Sequence, residues 1–360
     1  MHFFNLWQIP LIIHRIICMK KIFVFMAAFF AAVIFNSCSQ KKWISDFDEG
    51  KKLAEKSGKG IFLDFCAETD EVSERLEKSG FGSADFIKKF GNDLVFVKLD
   101  LTDRLNAENL NPNASEEERA AAEKTIKETE NAVKKAEMYA VQTLPAMFVL
   151  TKEGYVVSAL EFYSVRDDFD TSRSDAETAP FDEVIKVDSE EEYTKKIDDA
   201  IVLLKDFDKN IKIAHSSGSV KDRVAAVDEI FDSTDFVYRY LVKDLSELVL
   251  EIDTENVSES VPRHIVALAA AEAVEAENDF AKAAKIFEEA AGKKFLTRDD
   301  RQLLYYQSAL ASMRINDYET AKQSLQKSIK AAPQSEQIDL LNAMLQNIEV
   351  QIQSKSQQNN

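Results

Sequence analysis

Two rhythms of apolar residues divide the chain. From residue 43 to about 208, short unbroken apolar runs alternate with stretches whose apolar positions recur every three or four residues. Ile61 to Phe65 and Leu94 to Leu99 are runs of the first kind, the form of a strand covered on both faces. Around them the spacing predicts helices over Lys51–Lys56, Asp70–Leu76 and Phe86–Phe90, the first stopped by Ser57-Gly58-Lys59-Gly60. Ser115 to Glu118 forms a capping box, in which hydroxyl and carboxylate each satisfy a free N–H of a helix start. The helix it opens is expected to run to about Tyr139. Ala146 to Thr151 and Tyr155 to Phe162 read as two further strands around the turn Lys152-Glu153-Gly154. A second capping box, Ser189 to Glu192, opens a helix with Tyr193, Ile197, Ile201 and Leu204 on one face. Alternating helices and strands followed by a hairpin predict an α/β domain.

After Lys209 the strand rhythm stops. Helices are expected over Val220–Phe231, Phe236–Ile252 and, with short polar breaks, from Arg263 to Ile352. Two segments repeat. Asn278-Asp279-Phe280-Ala281-Lys282-Ala283 and Asn316-Asp317-Tyr318-Glu319-Thr320-Ala321 stand 38 residues apart, each inside a pair of helical stretches. Small residues (Ala271 and Ala283, then Ala309 and Ala321) let two antiparallel helices approach closely, and Phe287 and Leu325 fill the remaining gap. Pro333 ends the second hairpin. The pattern resembles tetratricopeptide repeats, near 263–334, although neither copy has that family's usual Trp or Gly and the spacing exceeds the family's period of about 34 residues. Glu336 to Gln353 reads as the amphipathic cap that such arrays require, and residues 356–360 as a polar tail. The second domain is therefore expected to be all-α, over residues 209–355.

The first domain also carries a resemblance. Gly60-Ile61-Phe62-Leu63-Asp64-Phe65, Val95-Phe96-Val97-Lys98-Leu99-Asp100-Leu101-Thr102 and Tyr139-Ala140-Val141-Gln142-Thr143-Leu144-Pro145-Ala146 resemble the thioredoxin family. The nearest flavour is the periplasmic domain of thiol:disulfide interchange (DsbD-like) proteins. The resemblance implies a thioredoxin-like fold over residues 43–208 and a cis peptide bond before Pro145, which would form a groove with Leu144 and Thr143 opposite the redox motif. Two insertions, near 101–131 and 164–186, depart from the family and are the first suspects for partner contact. The decisive departure is in the motif itself. Where the family has Cys-x-x-Cys, this chain has Asp70-Glu71-Val72-Ser73.

A hydroxyl cannot replace a thiolate in disulfide exchange. Cys66, four residues before Asp70, is the remaining thiol of the domain, and a strand-end cysteine there reads first as a small core residue. Ser73 has no histidine near it in sequence, since His215 and His264 both lie in the second domain, and without a base a serine is a weak nucleophile. Asp70 reads as an N-cap with Ser73 in the first helical turn. Glu68, Asp70, Glu71 and Glu74 lack the ligand spacing of a calcium loop and read as a solvated acidic helix start. Nine glycines form no phosphate-binding loop or nucleophile elbow, and no paired-histidine metal motif occurs. No cofactor is expected.

Charge and the N-terminus address location and partners. The formal charge is −18, from 45 basic and 63 acidic residues, a surface that repels nucleic acid. Met19-Lys20-Lys21, the apolar run Ile22–Phe35 and Asn36-Ser37-Cys38 follow the order of a secretory signal. The cysteine at its end resembles the bacterial lipoprotein signal, with Phe35 where that family has leucine. The resemblance implies a leader over 1–37, lipid on Cys38, a tether over 38–42, and residence in the bacterial periplasm or cell envelope. Residues 1–18 read either as an over-called start or as an unusually long leader. The expected function is a redox-inactive, membrane-anchored adaptor or assembly factor that binds unidentified envelope proteins. The alternative is an oxidoreductase or isomerase working through Cys66 alone.

Overall fold

The computed structural model describes residues 43–358, apart from 68, 69, 168, 170–179 and 277. Strands β1 (Trp43–Ile44), β2 (Gly60–Cys66), β3 (Leu94–Asp100), β4 (Ala146–Leu150) and β5 (Val156–Leu160) form one sheet in the order β1-β3-β2-β4-β5. The first three are mutually parallel; β4 and β5 run antiparallel. Every residue of β2 is buried, Asp64 among its apolar neighbours included, as a strand covered on both faces requires.

Alternation along β2 assigns its side chains to two cores. Ile61, Leu63 and Phe65 join Tyr139 and Phe148 on one face, which helix α1 (Phe47–Ser57) covers with Phe47 and Ala54. Phe62 joins Phe81, Phe86 and Phe96 on the other face. There α2 (Glu71–Lys78) supplies Val72 and Leu76, and α3 (Ala84–Phe90) supplies Phe86 and Ile87. Asp64, in step with Phe62, falls on the α2 face.

The first insertion is helical through much of its length. Helix α4 (Thr102–Glu108) comes first, and α5 (Glu116–Glu128) and α6 (Glu130–Met138) replace the single long helix expected from Ser115 to about Tyr139. The break falls at Thr129, whose hydroxyl donates to the Thr125 carbonyl 2.7 Å away; such back-bonding disturbs a helix. The described ends of the second insertion form a two-stranded sheet, β6 (Tyr163–Val165) with β7 (Ile185–Val187). The short helix α7 (Phe181–Val184) leads into β7.

Helix α8 (Glu190–Ala214) opens on the Ser189 capping box and passes straight through the boundary expected at 208. Its Tyr193 and Ile197 belong to the sheet core, and its Ile211 and Ala214 belong to the same buried cluster as Val224 and Val227 of α9 (Val220–Ser233). Sheet and helical region thus share one core. Phe236–Val242, expected as the start of an α-helix, is a 3-10 segment, followed by α10 (Lys243–Ile252). Its Tyr238 meets Phe148 edge-on at 5.9 Å, and the Tyr240 hydroxyl donates to the Met138 carbonyl.

Helices α11 (Val261–Glu275), α12 (Phe280–Ala291), α13 (Arg298–Arg314), α14 (Tyr318–Ala331) and α15 (Ile338–Gln358) complete the helical region. Ala271, Ala283, Ala309, Ala321 and Leu325 are buried; Phe280, Phe287 and Tyr318 are partly buried against the helical cores. The repeated Asn-Asp-aromatic turn has a physical basis. Asn278 and Asn316 take left-handed φ values of 72° and 57°, which end one helix. Asp279 and Asp317 then cap the next, accepting the Lys282 and Thr320 amides at 2.9 and 3.1 Å. One helix stops and another starts with four residues between them at the first turn and three at the second. The last helix packs Leu341 and Ile348 on the array and continues to Gln358, through much of the expected tail.

Candidate functional site

The strand β2 delivers Cys66 to the edge of the motif, and Asp70 opens α2 as its N-cap. The Asp70 carboxylate accepts the Ser73 amide at 2.9 Å. Burial holds that carboxyl above its ordinary range, against the hydrogen bonds it accepts. The Ser73 hydroxyl is itself buried and finds no hydrogen-bond partner among the described residues. The two motif positions therefore build a helix start.

Cys66 is 3% exposed. Burial pushes its thiol far up, and the neighbouring Asp64 carboxyl adds to the effect. A nucleophile needs an accessible thiolate, and this position supplies neither access nor ionisation. Behind it lies a group that apolar spacing alone did not single out. Asp64 is 2% exposed, and its Oδ1 has no hydrogen-bond partner among the described residues. Burial pushes its carboxyl up to about 7, with Lys98 opposing the rise. Lys98 stands beside Asp64 in the β2–β3 register and pairs with Glu77 of α2 at 3.0 Å. The sequence signal was available: a lone acid inside an unbroken apolar run.

The Leu144–Pro145 peptide bond is cis. Pro145 itself is buried, Leu144 half-buried and Thr143 exposed, so Thr143 and Leu144, not the proline ring, present surface to solvent here. The loop is held from both sides. The Thr143 hydroxyl lies 3.4 Å from the Tyr163 hydroxyl of β6, and Tyr240 bonds Met138 just before the loop. Elsewhere on the domain Arg75 of α2 sits 4.8 Å over the ring of Phe181 in α7. The second insertion thus touches α2 through Phe181, and Tyr163, immediately before it, meets the Thr143 loop. Cys38 and Glu68 lie outside the described residues.

A second polar constellation was not visible in the sequence. The Ser246 hydroxyl lies 3.0 Å from His264 Nδ1, and Asp228 Oδ1 lies 3.1 Å from His264 Nε2. Asp228 also accepts Ser260 and Arg263. Asp228, Ser246 and His264 come from α9, α10 and α11 in turn. The order Ser, His, Asp invites a hydrolytic reading. Burial opposes it: Ser246 is 1% and His264 0% exposed. The adjoining cavity, about 300 Å³, is lined by Lys221, Val224, Asp228 and Ser260 and by neither Ser246 nor His264. The three side chains satisfy one another's buried polar atoms and tie three helices together. Among the described residues no cluster of His, Cys, Asp or Glu is placed to hold a metal ion, and no helix is long and apolar enough to cross a membrane.

Comparison with known proteins adds one match. A family model described as an uncharacterised protein C-terminal domain matches residues 263–354, the array from α11 into α15. The comparison with curated proteins gives no match.

Proposed function

We propose that this chain is a redox-inactive thioredoxin-fold protein with a tetratricopeptide-like arm, exported, lipid-anchored through Cys38, and acting as a protein-binding adaptor or assembly factor in the bacterial cell envelope. One observation carries the redox half of this reading. At the motif positions Asp70 caps α2 and Ser73 fills its first turn, while the nearby thiol of Cys66 is buried. The strand order β1-β3-β2-β4-β5 and the cis bond before Pro145 support the thioredoxin resemblance around that altered site. The helical turns at Asn278 and Asn316 support the repeat reading. With chemistry gone from a kept scaffold, surface becomes the functional property. The exposed Thr143 loop and the second insertion beside α2 are the surfaces on which a partner would dock.

The test uses the chain without its leader in a disulfide-reduction assay, with an active thioredoxin and a Cys66→Ser variant beside it. Background turnover in both forms is expected. Turnover near that of the active control overturns the reading. Crosslinking in cells from a photoreactive residue at position 143, followed by identification of the trapped protein, tests the adaptor role; no trapped protein above background counts against it.

A further inference from the structure

Helix α9 turns one stripe towards a cavity. Lys221, Val224, Ala225 and Asp228 follow one another at helical spacing and line about 300 Å³ of space. The facing wall is the segment from Val257 to Ser260, which leads into α11. Its backbone is pinned from behind. Asp253, 2% exposed, accepts the Val257 and Ser258 amides at 2.7 and 2.9 Å, and Asn256 accepts the Val261 amide at 3.1 Å. Glu259 is held there at a left-handed φ of 67°. A glutamate is strained in that conformation, and such strain gathers at binding sites.

The ends of the stripe carry opposite charge. Asp228 is fixed by three donors: Ser260 Oγ at 2.6 Å, His264 Nε2 at 3.1 Å and Arg263 Nη1 at 3.4 Å. Burial pushes its carboxyl up, but the hydrogen bonds from His264 and Ser260 outweigh that and hold it below its ordinary range. A carboxylate offers about four acceptor sites, so one is left for a ligand. Arg263 is shared with Asp232, and Glu259 adds a second carboxylate to the wall, so this end favours a cation. Lys221, at the other end, is exposed and forms no ion pair among the described residues, although its charge reaches Asp253. Seven residues of helix separate the two ends by about 10 Å, the span of an extended tripeptide.

We propose that this cleft binds a short peptide with both termini free, its ammonium on Asp228 and its carboxylate on Lys221. Val224, Ala225 and Val257 lie between the charged groups and suit small apolar side chains. His264, itself bonded by Ser246, is then a positioning residue that fixes the Asp228 carboxylate. The cleft belongs to the helical region, not to the Thr143 loop, and stands or falls independently of the adaptor reading.

Saturation-transfer NMR of the chain without its leader at pH 7 tests it, with trialanine as the probe. Trialanine is expected to bind at about 1 mM. N-acetyl-trialanine, which lacks the ammonium, should bind about tenfold more weakly, the loss expected for a hydrogen bond to a charged group. Trialanine amide should lose about threefold, the weight of an exposed ion pair. Lys221→Met, a surface substitution that leaves the Asp228 network untouched, should bind trialanine and its amide equally. Asp228→Asn should abolish binding. No binding of trialanine up to about 20 mM overturns the proposal, as does equal binding of the acetylated peptide or of ethylamine.

Discussion

Replacing Asp64 by asparagine should stabilise the protein more at pH 8 than at pH 5, relative to the parent chain. Asp64 is fully buried, and burial raises its carboxyl from 3.8 to about 7. A tenfold change in proton affinity is worth about 1.36 kcal/mol, so ionising Asp64 in the folded protein costs about 4 kcal/mol relative to the unfolded chain. The direction follows from proton binding: between the two values the folded state keeps the proton that the unfolded state has lost. The favourable contribution is complete below about pH 3.8, declines as pH rises, and is gone above about 7. Between pH 5 and pH 8 the parent chain should lose about 3 kcal/mol through this residue alone. An asparagine side chain carries no titrating proton, while every other titrating group stays common to both forms. Urea unfolding at pH 5, 6, 7 and 8, read by Trp43 fluorescence and extrapolated linearly, gives the comparison. Parallel stability curves for parent and Asp64→Asn across this window refute the reasoning, whatever their vertical offset.

Other consequences concern separate parts of the molecule. The Cys66 thiol should resist a thiol reagent at pH 8 in the native protein and react fully in urea; fast native labelling would mean that the strand end opens. Leu325→Ala removes a side chain with 0% exposure between α13, α14 and α15 and should cost about 2–5 kcal/mol in thermal unfolding, with no loss pointing to a loosely packed array. At Asn316, with φ at 57°, substitution by alanine should cost about 1 kcal/mol while glycine is tolerated; equal effects of the two would count against the left-handed turn as the helix stop.

Much of the secondary structure was legible because its determinants are neighbours in the chain. Asp70, Ser115 and Ser189 each bond an amide three residues ahead, so a short window of sequence contains both partners. The same is true of the Asn-Asp turns before α12 and α14. The break at Thr129 was harder, since the run from Ser115 to Tyr139 keeps helical composition and the interruption coincides with one hydroxyl bonded back to the Thr125 carbonyl. The boundary expected at 208 rests on rhythm alone. A change of rhythm from strands to helices marks where the sheet ends, not where its core ends, and α8 carries one apolar face across both regions.

Taken alone, the sequence determined that positions 70 and 73 carry Asp and Ser and no thiol, that apolar runs alternate with helices before residue 208, and that helices alone follow. These are properties of residue type and local spacing. Only tertiary structure decided what each polar side chain meets: Lys98 beside Asp64, His264 between Ser246 and Asp228, Tyr163 against Thr143. It also decided that Pro145 is covered while Thr143 is open. The physical reason is range. A cap or turn is satisfied within a few residues, whereas the dielectric surroundings and partners of a buried polar group depend on where distant segments of chain fold back upon it.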